Sequence, residues 1–346
     1  MSEARALSSL EDKRGIEMSE KFKALVVRER EDNTFARAIE ERSIDELPEG
    51  ELVVEVRHSS LNYKDMLSAS GNRGVTKNYP HTPGIDAAGV VASCSDGSFK
   101  AGDEVIVTSY DLGMNTSGGF GRLIRVPSAW ALPLPAGLTL REAMVFGTAG
   151  LTAGLSVHRL LGWGITLDRG EVLVTGAAGG VGSMALSILS HLGFSVAALQ
   201  GGAGADDLLK KCGAKTILSA EETADQPSRP LLKERFAGCI DTVGGSVLAY
   251  GLKSTAAGGA VTCCGNIMAE LPITVYPFIL RGVSLFGIDS QNCPMGLRRE
   301  VWGKLAGEWK FPWLDDLASE TTLEGLEEKF AAMKAGTLKG RTVVSL

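Results

Sequence analysis

Between residues 22 and 126 the apolar positions fall in short, valine-rich runs closed off by turn residues. Phe22 to Val27, Glu51 to Val56, Gly89 to Ala92, Glu104 to Thr108 and Arg122 to Val126 each read as a strand. Pro80, Pro83, Gly84, Gly97, Gly102, Gly113, Gly118, Gly119 and Gly121 punctuate them, as in a partly open barrel whose chain turns many corners. Residues 1–20 are polar and without period, and read as a loose extension. Beyond Pro133 and Pro135 the period lengthens, and Leu140 to Leu161 carries apolar residues at helical spacing. Strands and helices then alternate. Val172 to Thr175, Val196 to Leu199, Thr216 to Leu218, Cys239 to Thr242, Ala260 to Cys263 and Val283 to Ile288 are separated by helical stretches at Val181 to Leu192, Asp206 to Cys212, Val247 to Ser254 and near Ile279. Such a βαβ series predicts an α/β fold with a doubly wound parallel sheet under helices. After Asp289 come a polar stretch, one amphipathic helix at Leu323 to Ala335, and a terminal strand, Arg341 to Leu346, free to rejoin the first half.

A chain of 346 residues exceeds what one core holds, since cores stop growing near roughly 250–300 residues, so two domains are expected. With 44% hydrophobic and 22% charged residues it lies outside the disordered range. The net charge of −6, from 35 basic and 41 acidic residues, supplies no broad positive field for nucleic acid. Six cysteines with no C-x-x-C spacing read as reduced thiols. The first residues lack an apolar signal core, and no stretch keeps about 18 apolar residues clear of charge, so the reading is cytoplasmic with no membrane span.

The most informative segment is Glu171 to Thr175 followed by Gly176-Ala177-Ala178-Gly179-Gly180-Val181-Gly182 and an apolar helix. Gly179 and Gly180 let the backbone approach a pyrophosphate, Gly182 lets helix and strand pack closely, and the N–H groups at the helix start face the anion. Ala177 takes a glycine's place in G-x-G-x-x-G, and a turn needed only for packing is the plainer alternative. At the end of the next strand stand Gln200, Gly201 and Gly202. An acid there would hold the ribose hydroxyl of NADH and repel a 2′-phosphate, so its absence leans toward NADPH. No Arg or Lys shares that turn, Lys210 and Lys211 follow only later, and NADH stays open.

On these features the chain resembles the medium-chain dehydrogenase/reductase family. The likeness is to its zinc-free, quinone-oxidoreductase-like branch, and there to the acrylyl-CoA reductase (NADPH) group. It runs from about Phe22 onward, through Ser60-Leu61-Asn62-Tyr63-Lys64-Asp65, Pro83 to Val91, Gly102 to Val105, Gly147 to Ala153, Gly176 to Gly182 and Gly340-Arg341. It implies a GroES-like partly open β-barrel domain, residues 21–145 with 290–346, around a Rossmann cofactor-binding domain, residues 146–289. Zinc members carry a cysteine near Asn62 to Asp65 and G-H-E where this chain has Gly84-Ile85-Asp86, so no metal is expected. His58, His81, His158 and His191 are scattered, with no ligand spacing.

Hydride transfer without a metal requires an acceptor already activated by conjugation. The resemblance implies reduction of acryloyl-CoA to propanoyl-CoA, with Tyr63, Asn62 and Asp65 as catalytic candidates. Asn62 capping a turn, and Asp65 serving as a helix N-terminal charge, are the plainer readings. It also places Tyr63, Thr148, Ala178, Gly179, Gly180, Val181, Gly182, Gln200, Gly201, Gly202, Cys264, Gly265, Asn266, Phe286, Gly287, Ile288, Asp289 and Arg341 along the coenzyme. For Arg341, a strand-end surface charge is the alternative. Homodimers of the family pair through the sixth strand, here Val283 to Ile288. A quinone or enone reductase, and a non-catalytic NADPH-binding redox sensor, are the competing functions.

Overall fold

Alternation of buried and outward residues organises the first half, as expected for strands with one face on a core. The computed structural model describes residues 21–202, 204–221 and 229–346, so the extension expected over residues 1–20 lies outside them. Strand β1 (Lys21–Glu29) pairs antiparallel with β2 (Phe35–Ser43). Strands β3 (Leu52–Ser60), β4 (Asp86–Cys94), β5 (Glu104–Thr108), β6 (Leu123–Val126) and β7 (Ala131–Pro133) join two late strands, β14 (Ala318–Thr321) and β15 (Arg341–Ser345). These make a seven-stranded sheet in the order β14-β15-β3-β4-β5-β7, with β6 also on β3. Val343 of β15 lies opposite Ser60 of β3, so the terminal strand does rejoin the first half. Leu52, Val54, Val56, Val105, Val107, Ile124 and Val126 fill its interior.

The second half is a six-stranded parallel sheet of β8 (Glu171–Thr175), β9 (Val196–Gln200), β10 (Thr216–Ser219), β11 (Phe236–Asp241), β12 (Thr255–Cys263) and β13 (Ser284–Gly287). Its order, β10-β9-β8-β11-β12-β13, reverses between β8 and β11 and opens a crevice at the strands' carboxyl ends. The helices whose ranges lie among the described residues are α1 (Tyr63–Ala69), α2 (Leu140–Gly162), α3 (Gly180–His191), α4 (Asp206–Lys211), α5 (Gly245–Ser254), α6 (Tyr276–Arg281), α7 (Met295–Ala306) and α8 (Leu326–Lys334). This is the Rossmann sheet with a GroES-like barrel that the sequence led us to expect.

Helix α2 ties the halves together. Thr139 and Glu142 close a capping box at its start, and its buried face belongs to one core holding Ala88, Ile106 and Leu132 of the barrel with Val172, Val174 and Ile240 of the parallel sheet. Strands β2, β7 and β14 went unpredicted, and α7 occupies what read as a polar stretch. Helix α7 buries Val301, Trp302 and Leu305, while Arg298 takes a core position. The Arg298 guanidinium donates to Thr108 O and Oγ1 at 2.8 Å and lies 4.3 Å from the centre of the Tyr110 ring.

Candidate active site at the seam of the two sheets

The seam is built around a break in α2. Gly147 has φ 51° and ψ −155°, a conformation open in practice to glycine alone. A Cβ there would stand 2.5 Å from Asp86 Oδ2 and 3.0 Å from Arg341 Nη2. The break makes Thr148 a fresh helix start, and its N–H donates to both oxygens of Asp86, at 3.0 and 2.9 Å. Thr148 Oγ1 donates to Asp86 Oδ1 at 2.5 Å and lies 2.8 Å from Ser109 Oγ. Ser60 Oγ and Asn62 Nδ2 complete the shell at Asp86 Oδ2, at 2.5 and 2.7 Å. Asp86, fully buried at the start of β4, is thus the centre of the seam. The sequence reading missed it. The available signal was a carboxylate inside the apolar run Ile85 to Ala88, which only partners from elsewhere could make tolerable.

Arg341 is the counter-charge. Its Nη2 donates to Ser60 Oγ at 2.9 Å and its Nη1 to Asn62 Oδ1 at 3.3 Å, so both side chains bridge guanidinium and carboxylate. Leu61 O and Val145 O accept from Nη1 and Nε. Burial pulls its pKa down while Asp86 and Asp65 push it up. At 3% exposure Arg341 is no surface charge, and its donors are turned into the seam, beneath the glycine loop.

Asn62 and Asp65 lie in the same buried seam. Asn62 is buried, with its amide committed to Ser60 O, Asp86 and Arg341. Asp65 is fully buried: its Oδ2 accepts from Asn62 N at 2.7 Å, its Oδ1 from Gly84 N and Ile85 N at 3.1 and 2.8 Å. Burial, then the charge of Asp86, pushes its pKa up to about 7 against those three amides. Both residues position the start of α1. Tyr63, next to them, is 44% exposed, and no hydrogen bond joins its hydroxyl to another described residue.

Across the seam, the turn after β8 has the shape expected. Gly176 has φ 56°, and a Cβ on Gly182 would stand 2.7 Å from Ala177 Cα, so helix and turn approach closely. The first bond into α3 runs from Ser183 N to Gly179 O at 2.9 Å, leaving the amides of Gly180, Val181 and Gly182 as the helix's free N-terminal donors. Gly340 N donates to Ala178 O at 3.0 Å, and Arg341 Nη1 lies 3.0 Å from where a Gly180 Cβ would be. The segment before β15 therefore supports this turn. At the end of β9, Gln200 Nε2 donates to Asp206 Oδ1 at 2.8 Å.

The ends of β12 and β13 divide. Gly265 packs against the Thr242 backbone, and Asn266 is exposed beside it. Cys264 donates from its thiol to Asp241 O, and burial pushes that thiol up to about 12, so it is an inert wall. The Phe286 ring packs 5.2 Å from Trp163 and under Arg159 at 5.3 Å, eleven residues or about 16 Å along α2 from Thr148. Gly287 is exposed, and Ile288 N is held by Cys263 O at 2.9 Å. Asp289 accepts from Gln291 N, Asn292 N and Asn292 Nδ2. The turn it shapes meets α1, where Lys64 Nζ donates to Gln291 Oε1 at 2.5 Å.

The seam does not fit a catalytic zinc. Ile85 stands where a histidine ligand would, Asp86 is saturated with donors, and no group of three or more His, Cys, Asp or Glu is placed for a metal among the described residues. No helix among them is long and apolar enough to cross a membrane.

Two family models match the chain: the alcohol dehydrogenase GroES-like domain over residues 48–136 and the zinc-binding dehydrogenase over residues 180–306. YhfP of Bacillus subtilis, named for quinone oxidoreduction, is 42% identical over 333 residues, covering 95% of this chain and 100% of its own. AcuI of Ruegeria pomeroyi, an acrylyl-CoA reductase, is 42% identical over 327 residues, covering 94% and 99%. The crystal structure of the YhdH oxidoreductase of Salmonella enterica in complex with NADP is similar at TM-score 0.91 and 42% identity, over 94% of this chain and 99% of that one. The structure of YhfP with NAD bound also gives 0.91, over 95% and 100%.

Proposed function

This chain belongs to the medium-chain dehydrogenase/reductase family, and from that premise we propose that it uses NADPH to reduce the C=C bond of a short enoyl-CoA, acryloyl-CoA to propanoyl-CoA. The observation that carries the reading is the glycine cradle beside Thr148. Three helix-start amides lie free there, with no room for side chains at Gly176 and Gly182, the form a dinucleotide diphosphate needs. The substrate class rests on the 42% identity to AcuI.

Bound in that cradle, the coenzyme supplies a hydride; the chain does the rest. The amides of Gly180, Val181 and Gly182 hold the diphosphate. Thr148, fixed through Asp86 and Ser109, sets the near wall of the nicotinamide site. Tyr63, the exposed residue at the head of α1, holds at its hydroxyl the proton that goes to the substrate α-carbon once the β-carbon has been reduced. The seam network keeps α1 and Thr148 in fixed relation, which preserves alignment of the reacting carbon.

Loss of NADPH absorbance with acryloyl-CoA, with 1,4-benzoquinone and with no acceptor tests this. We expect a rate at least about 100-fold faster with the thioester, because the CoA handle places the alkene. Equal rates would favour the quinone reading, for which the name of YhfP speaks, and binding without turnover the redox sensor. Tyr63→Phe should slow turnover about tenfold, the worth of one hydrogen bond to developing charge, with NADPH affinity changed far less.

We also divide the chain as its sheets divide, residues 21–145 with 290–346 and residues 146–289, with Gly147 at the joint. A homodimer is our reading of the apolar patch at Val275, Ile279 and Leu280, each more than 60% exposed near edge strand β13, and sedimentation would give its mass. Six free thiols suit a reducing cytoplasm.

A further inference from the structure

We propose that Lys339 is the residue that recognises the 2′-phosphate of NADPH, an inference that rests on the coenzyme reading above. The end of the second strand of a dinucleotide-binding sheet is where the adenine ribose is read. In this chain that turn contributes Gln200, Gly201 and Gly202, none of them basic. Lys211, which follows in α4, is drawn away by Asp316, 2.9 Å from its Nζ. The positive charge arrives instead from far along the chain. Lys339 Nζ donates to Gly204 O, fixing an ammonium over the turn that closes β9.

Its placement follows from its neighbours. Gly340 N holds Ala178 O at 3.0 Å, and Arg341 lies under Gly180, so residues 339–341 run along the crevice from the diphosphate turn to the ribose turn. Room for a phosphate exists there: a Cβ built on Gly201 or Gly202 meets nothing within 4 Å. An ammonium has three N–H donors, and the Gly204 carbonyl takes one. The opposing charge is Asp206, which Gln200 Nε2 engages at 2.8 Å. A free Asp206 would favour NADH, so the balance between Lys339 and Asp206 sets the preference.

The test is direct titration of the coenzyme-free protein, by tryptophan quenching or calorimetry, with NADPH, NADH, 2′,5′-ADP and 5′-AMP. Lys339→Ala should weaken NADPH and 2′,5′-ADP about tenfold and leave NADH and 5′-AMP within about twofold, as expected for an exposed charge-assisted contact. Lys339→Arg should restore the wild-type values. Raising salt should narrow the gap between NADPH and NADH in the wild type but not in Lys339→Ala. Equal weakening of all four ligands, or of none, overturns the proposal. A wild type that prefers NADH overturns it while leaving the coenzyme reading intact, whereas a wild type that binds no coenzyme removes both.

Discussion

Asp86→Ala is expected to lower the stability of the folded chain by about 3–5 kcal/mol, the cost of taking one partner from a buried charge pair. The carboxylate accepts from Ser60 Oγ, Asn62 Nδ2, Thr148 N and Thr148 Oγ1, and each of these donors would be left in a space closed to solvent. Arg341, 3% exposed, would keep its charge with only Asp65 to balance it. Asp86→Asn preserves the shape and one acceptor oxygen, so it should cost less than alanine. Removing both charges in Asp86→Leu with Arg341→Met should cost less than the two single changes added together, because neither charge is then left alone. Equilibrium urea unfolding followed by circular dichroism reads all five variants, the two single changes included. A loss under about 1 kcal/mol for the alanine would mean that water replaces the carboxylate and the seam is not a closed network.

Gly182→Ala is expected to raise the NADPH dissociation constant by more than about 100-fold, the scale on which small misplacements act. The added Cβ would press on Ala177 Cα at 2.7 Å and on Gly176 C at 2.8 Å. Both are backbone atoms held by the turn, so no rotamer relieves the contact. Helix α3 has to back away from β8, and its three leading amides lose their common aim. An overpacking cost of about 1–3 kcal/mol in stability should accompany the loss. Gly303→Ala in α7 is the control, since its Cβ would meet open space, and coenzyme affinity should hold within about twofold. Titration of the two variants decides the matter; equal affinities would mean that the turn is a packing device and the coenzyme lies elsewhere.

The parallel sheet was legible because its strands are buried on both faces and read as near-continuous apolar runs, as at Val172 to Thr175 and Val196 to Leu199. Strand β2 was not. Both its faces are partly solvated, and it carries Arg37, Glu40 and Arg42 in ion pairs with Glu327, Arg28 and Glu46, so no period of two survives. Helix α7 was hidden by Arg298, a charged residue at a core position that Thr108, Tyr110, Ser290 and Gln291 make tolerable. The site divides in the same way. The glycine turn is a local motif, complete within one βα unit. The seam is assembled from β3, β4, α2 and β15, and Asp86 meets Thr148 across 62 residues of chain and, through Ser60, Arg341 across far more. No window along the sequence spans such partners. Lys339 escaped notice for that reason: the basic residue missing from the Gln200 turn comes from a segment 135 residues past Gly204.

Strand β15 follows every other described element, and it lies between β14 and β3 with Arg341 at its head. During synthesis the parallel sheet can therefore assemble while the tunnel of the ribosome still hides the residues that brace it. Until β15 emerges and docks, Asp86 sits without a cation and the Ala178 turn without its clamp. Coenzyme capture thus waits for β15, and a product cut short before Arg341 would keep the α2 link between its halves but lose the brace beneath the glycine turn.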